Sequence, residues 1–139
     1  LAGGQRIVIE HTAAQNDEGV IPATRVVPPP PTAADQTLIE AYRQRGLPVN
    51  ESVAEVSLVR ARTLMQEAIR AGTYDVALQW CELVLARYPS HPEFLRAKAS
   101  VLLLIGEREK AIETYEKAEE VESDPKVRQK LEELLREQD

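Results

Sequence analysis

Cysteine, histidine, aromatic residues and long apolar runs are all scarce in this chain, and each scarcity removes a class of function. Cys81 is the single cysteine, which excludes an internal disulfide. With only His11 and His91 beside it, no metal-ligand set forms at a recognisable spacing, and neither a metal nor any other cofactor is expected. Six aromatic residues and a formal charge of −6, with no basic stripe, argue against a nucleic-acid partner. The longest aliphatic run, Val101 through Ile105, falls far short of the ~20 residues that a bilayer span requires. No glycine-rich phosphate loop, nucleophile triad or carboxylate pair in a defined cleft is present, so no catalytic residue is assigned and no enzyme is expected.

Two copies of one helical pattern are present, set 34 residues apart: LVRARTLMQEAIRAGTYDVALQWCELVLARYPSH, then PEFLRAKASVLLLIGEREKAIETYEKAEEVESDP. Gly72 aligns with Gly106 and Ala77 with Ala111. A glycine lets the chain leave one helix in a left-handed conformation, and an alanine five residues on lets the next helix pack closely against it. The spacing therefore predicts two stacked helix–turn–helix units.

That period and those residues resemble the tetratricopeptide repeat, a family of 34-residue helical hairpins. Leu64, Gly72, Tyr74, Ala77 and Pro89 in the first copy stand at the family's characteristic positions, as do Leu102, Gly106, Ala111, Tyr115 and Ala118 in the second. Arg108 replaces the second turn aromatic, the second proline arrives late as Pro125, and the family's early tryptophan and mid-helix glycine are missing from both copies. A generic array of helical hairpins is the alternative. The resemblance implies an all-α fold, a short α-solenoid with an extended N-terminal arm. Residues 1–31 would be the arm, and 32–139 a helical domain with repeats at 58–91 and 92–125 and a capping helix at 125–138.

Within the arm, QRIVIEHT alternates like a short strand but has nothing obvious to pair with, so the edge of a partner's sheet or a preceding domain is the expected neighbour. VVPPPP reads as a stiff polyproline spacer that buries nothing. An arm of this composition keeps a fixed path only against a support, either another chain or its own helices. The chain begins at Leu1 rather than methionine and so reads as a fragment, a processed product or part of something longer.

Thr32 with Asp35 predicts a capped helix running to Arg45, whose stripe of Leu38, Ile39 and Tyr42 needs a surface to cover. Ser52 with Glu55 predicts the start of the next helix, with Asn50 as the alternative cap; Thr73 caps the third, Ser90 with Glu93 opens the fourth, and Asp124 caps the last with Pro125 at its first position. The helix around Glu113 and Lys117 is acidic: the second copy holds nine acids against five bases.

In the family, the first helices of successive hairpins line a groove that holds an extended or helical peptide. The resemblance thus points to Val59, Arg62, Gln66, Ile69 and Arg70, with Arg96, Ser100, Leu103 and Leu104, as the partner-binding groove. Arg62 and Arg96 are related by the repeat and are positioned to grip a carboxylate together, or else are solvated arginines with local acidic partners. The expected role is a non-catalytic scaffold or adaptor that docks its chain into a larger assembly, with another protein as partner. A regulatory or assembly segment of a larger enzyme or membrane-anchored protein is the alternative. Cys81 and Trp80 are expected to be packing residues.

Overall fold

The computed structural model describes residues 9–12 and 23–137. Two short strands, β1 (Ile9–Thr12) and β2 (Ala23–Val26), pair antiparallel with Ile9 opposite Val26. Helices follow: α1 (Gln36–Gln44, entered through a 3-10 turn at Ala33–Asp35), α2 (Leu58–Ala71), α3 (Tyr74–Arg87), α4 (Pro92–Leu104), α5 (Arg108–Val121) and α6 (Pro125–Glu137). The domain is helical and repeat-like. Residues 1–8, 13–22 and 138–139 lie outside the described residues, so the start of QRIVIEHT and the last residue of the expected capping helix are not placed.

The 34-residue period reappears in the backbone bonds. At the end of α2, Gly72 N–H donates to the Ile69 carbonyl (3.1 Å) and Thr73 N–H to that of Ala68 (2.9 Å). After α4, Gly106 N–H donates to Leu103 (3.1 Å) and Glu107 N–H to Leu102 (2.8 Å), the same pair one period on. Both glycines are left-handed, at φ +79° and +87°, and a Cβ at either would meet no atom within 4 Å. Conformation therefore demands glycine there, not space. Each bend satisfies carbonyls that the helix end leaves free.

Ala77 and Ala111, both 0 % exposed, sit where the second helix of each hairpin approaches the first. Replacing either with leucine is expected to overpack that approach and to destabilise by about 1–3 kcal/mol. Urea unfolding checks it, with Ala71→Leu on the exposed end of α2 as a control that should move the midpoint little.

Two apolar clusters run along the array. The first gathers Leu58, Met65, Ala77, Trp80, Val84, Tyr88 and Phe94 around the α2–α3 hairpin. The second joins Ala99, Ile112 and Tyr115 to Val127, Leu131 and Leu134 of α6. Asp124 caps α6, its Oδ1 accepting from the Lys126 (2.8 Å) and Val127 (3.4 Å) amides.

Three expectations need correction. The strand does have a partner, since β2 of the same chain pairs with it. The proline segment is not a free spacer: Val26 lies in the first cluster, its amide donates to Gln79 Oε1 on α3 (3.0 Å), and the Pro29 carbonyl accepts from Ser57 N–H (2.8 Å). These residues cover the outer side of the first hairpin.

The helix after α1 begins at Leu58 with Ser57 as its cap, Oγ accepting from Arg60 N–H (3.1 Å), and not at Ser52. Extending it backwards would need Ser57 N–H and the Val53 carbonyl to bond each other. Ser57 N–H is spent on Pro29 and the Val53 carbonyl on Arg87 Nη1 (2.8 Å), while Ser52 donates through both N–H and Oγ to Asn50 Oδ1.

Candidate functional site

α1 lies across the edge at which α2 and α4 begin and α3 and α5 end, and three anchors hold it. At its entry the capping pair forms as expected, with Thr32 N–H donating to Asp35 Oδ2 (2.8 Å). The other oxygen of Asp35, Oδ1, accepts from Val59 N–H (2.8 Å) in the first turn of α2. Burial opposes the charge on this carboxylate, but the donated bonds of Val59, Thr32 and Ser57 prevail and hold its pKa below the usual value. In the middle, Tyr42 Oη accepts from Ser90 N–H (3.1 Å) and donates to the Pro48 carbonyl (2.6 Å). At the far end Arg45 reaches the Val121 carbonyl (3.3 Å), at the negative end of α5, and Glu122 (3.5 Å).

Beneath α1 lies an open cavity of about 250 Å³ lined by Leu38, Ala41, Tyr42 and Arg45 from above, with Arg62, His91, Pro92, Glu93, Arg96 and Glu122 from the array. Arg62 and Arg96 are thus brought to one cavity, as the repeat relation requires. Each already holds a carboxylate of this chain. Arg62 grips Glu93 through two parallel bonds of 2.7 Å, and Arg96 Nη2 meets Glu122 at 3.2 Å. The arrangement is that of arginines with local acidic partners.

His91 stacks on the Tyr42 ring at 5.8 Å and meets Phe94 edge-on at 5.0 Å. Burial pushes its pKa down to about 4; Glu93 opposes that shift, while Arg62, Arg96 and Arg45 add to it.

The remaining groove residues divide into two sets. Val59, Ile69 and Leu103 are half-buried, the latter two against the clusters. Gln66, Arg70, Ser100 and Leu104 are exposed, Leu104 at 57 %, although Ser100 Oγ also bonds Tyr115 Oη (2.9 Å). Thr73 and Ser90 do not cap the helices they precede. Thr73 Oγ1 donates back to the Ala68 carbonyl (3.2 Å), the Ser90 amide is spent on Tyr42, and His91 precedes Pro92 at the start of α4 without a side-chain cap.

Cys81 is a core residue. It is fully buried, its Sγ lies 3.3 Å from Met65 Sδ, and burial pushes its thiol up to about 12, far from a nucleophile's range. Trp80 is buried too.

Among the described residues no group of three or more His, Cys, Asp or Glu could hold a metal ion, and no helix is long and apolar enough to cross a membrane. An open furrow of about 550 Å³ between α3, α4 and α5 is rimmed by charges that pair with each other, Lys98 with Glu82 at 3.0 Å and Lys110 with Glu107 at 3.9 Å.

Sequence reasoning did not find Tyr42, Arg45, His91, Glu93 and Glu122 as parts of this site. The apolar stripe of α1 signalled that the helix covers something, but nothing in the sequence said what. Comparison with family models and with curated proteins finds no match to this chain.

Proposed function

We propose that the chain is a non-catalytic protein–protein interaction module, a short tetratricopeptide-like array that docks its chain into a larger assembly. The observation that carries this reading is the recurrence, at 34 residues, of one helix, a left-handed glycine bend, a second helix and a buried alanine, with the same pair of capping bonds at each bend. Hairpins of this kind cannot bury their apolar faces alone; they stack, and stacking leaves an extended surface for a partner.

The proposed partner is a segment of another polypeptide laid along α2 and α4. α1 already covers the first turns of these helices, so the partner takes the stretch beyond it, past Gln66, Arg70, Ser100 and Leu104. The arm contributes less than its composition implies, because residues 26–29 bond to α2 and α3 of the same chain.

Placing acids on this stretch tests the reading. The variant Arg70→Glu with Leu104→Glu, both on exposed side chains, is expected to weaken binding of a co-purifying partner by at least about tenfold, or about 1.4 kcal/mol, with helicity unchanged. Titration of the purified partner measures it. Equal affinity for wild type and variant removes the groove from the proposal.

A further inference from the structure

The connection between α1 and α2 holds a triplet whose chemistry the fold uses only in part. Asn50, Glu51 and Ser52 read Asn-x-Ser with a residue other than proline in the middle, the pattern that accepts an N-linked glycan. The chain has one other asparagine, Asn16, and the residue two places beyond it is Glu18, so the pattern occurs once.

An acceptor of this kind needs an asparagine on an irregular, solvent-facing segment, with its amide nitrogen uncommitted. Asn50 and Ser52 are both exposed and lie outside every helix. The structural work of the Asn50 side chain falls on its oxygen alone: Oδ1 accepts from Ser52 N–H (3.2 Å) and from Ser52 Oγ (2.7 Å). The Asn50 main chain does the rest. Its N–H donates to the Arg87 carbonyl (2.8 Å), and its own carbonyl accepts from Val53 N–H (3.2 Å) to close the turn. Nδ2 has no partner among the described residues. A turn by itself accounts for Oδ1 and for Ser52, but it makes no use of that nitrogen. The charged neighbours are directed elsewhere, Glu51 to Arg43 (3.1 Å) and to Arg87 (3.3 Å). A sugar on Nδ2 therefore breaks no bond that the structure makes.

We propose that Asn50 is an acceptor site for N-linked glycosylation in a compartment that holds an oligosaccharide linked to a polyprenyl pyrophosphate. In the transfer, Asn50 Nδ2 bonds to C1 of the first sugar as the bond from C1 to the pyrophosphate oxygen breaks. The polyprenyl pyrophosphate leaves with that electron pair, and one Nδ2 proton passes to a base of the transferase. Nothing is oxidised or reduced. The turn at 50–53 then forms with the sugar in place. Asn50 is tied to the end of α3, at the end of the array that carries α1, whereas Arg70 and Leu104 lie in the last turns of α2 and α4. The glycan stands away from the groove stretch, so this inference and the groove reading fail separately.

The test directs the full chain, behind a cleavable signal peptide, into microsomes of the endoplasmic reticulum. The protease-protected product should migrate one discrete step more slowly than the untranslocated chain, and an endoglycosidase should remove the step. Asn50→Gln and Ser52→Ala should each abolish it, and Ser52→Thr should keep it. A protected product without the step, or a step that survives Asn50→Gln, overturns the proposal. The secreted protein, trimmed to a single N-acetylglucosamine, should have the helicity and melting temperature of the unmodified chain. A lower melting temperature would mean that the turn opens to carry the sugar, and overturns the assignment of Nδ2 as the free atom of the site.

Discussion

Arg87→Ala is expected to destabilise the fold by about 2–4 kcal/mol, because one buried guanidinium organises residues 50–55 of the connection between α1 and α2. Arg87 ends α3 with its side chain 6 % exposed. Nη1 donates to the carbonyls of Val53 (2.8 Å), Glu51 (3.3 Å) and Asn50 (3.4 Å), and the backbone carbonyl of Arg87 accepts from Asn50 N–H (2.8 Å). Nη2 meets Glu51 and Glu55, each at 3.3 Å, but both carboxylates are exposed and contribute little.

The expected loss therefore comes from the Glu51 and Val53 carbonyls, which lose this donor, and from the packing of the side-chain stem. Arg87→Lys should recover only part of it, since an ammonium cannot reproduce the fork that reaches several acceptors at once. Urea unfolding measures both variants, and a loss below about 1 kcal/mol for Arg87→Ala would show that the 50–55 segment holds its path by other means. The repeat makes the role specific to the first hairpin: one period on stands Val121, and there the end of the helix is met from outside by Arg45.

What the sequence discloses of this fold is whatever depends on local backbone chemistry. Gly72 and Gly106 were recognisable because a left-handed helix exit needs glycine, and Ala77 and Ala111 because two helices can approach only over a small side chain. Both requirements leave a mark at a fixed period. Asp124 before Pro125 and Thr32 with Asp35 were readable for the same reason, since their partners lie within a few residues.

Ser52 misled because its competitor is remote. The S-x-x-E pattern there is locally as good as any, yet Arg87 and Pro29, distant in the chain, take the groups that a helix start would use. The same holds for the prolines. Stiffness predicts an extended path, but whether that path crosses water or lies on α2 and α3 depends on surfaces that composition does not describe. The candidate site was legible only as far as its periodic part, Arg62 with Arg96. The seat of α1 joins residues from Leu38 to Glu122 and has no periodic signature.

Acidification should weaken the fold through His91, over a window set by its pKa. The ring lies between Tyr42 and Phe94, and burial lowers its pKa from 6.5 to about 4. Of the charged groups facing it, Glu93 of α4 favours protonation, while Arg62 of α2, Arg96 of α4 and Arg45 beyond α1 oppose it. Because the folded value lies below the unfolded one, the folded chain keeps His91 neutral while the unfolded chain takes up a proton. The stabilisation is fully present above about pH 6.5 and is lost as the pH falls towards 4, where it levels off. The shift corresponds to about 3 kcal/mol between pH 7 and pH 4.

Carboxylates such as Asp35, whose pKa is also lowered, act at more acid pH and act alike in a His91→Gln variant, so the difference between the two proteins isolates the imidazole. Urea unfolding at half-unit steps should therefore show the wild-type advantage over His91→Gln shrinking by about 3 kcal/mol across that window. Parallel curves would mean that the ring titrates freely, and hence that α1 does not bury it in solution. Because the ring stacks on Tyr42, the first element to loosen on protonation should be α1, seen as a gain in tyrosine exposure before the loss of helicity from α2 to α6.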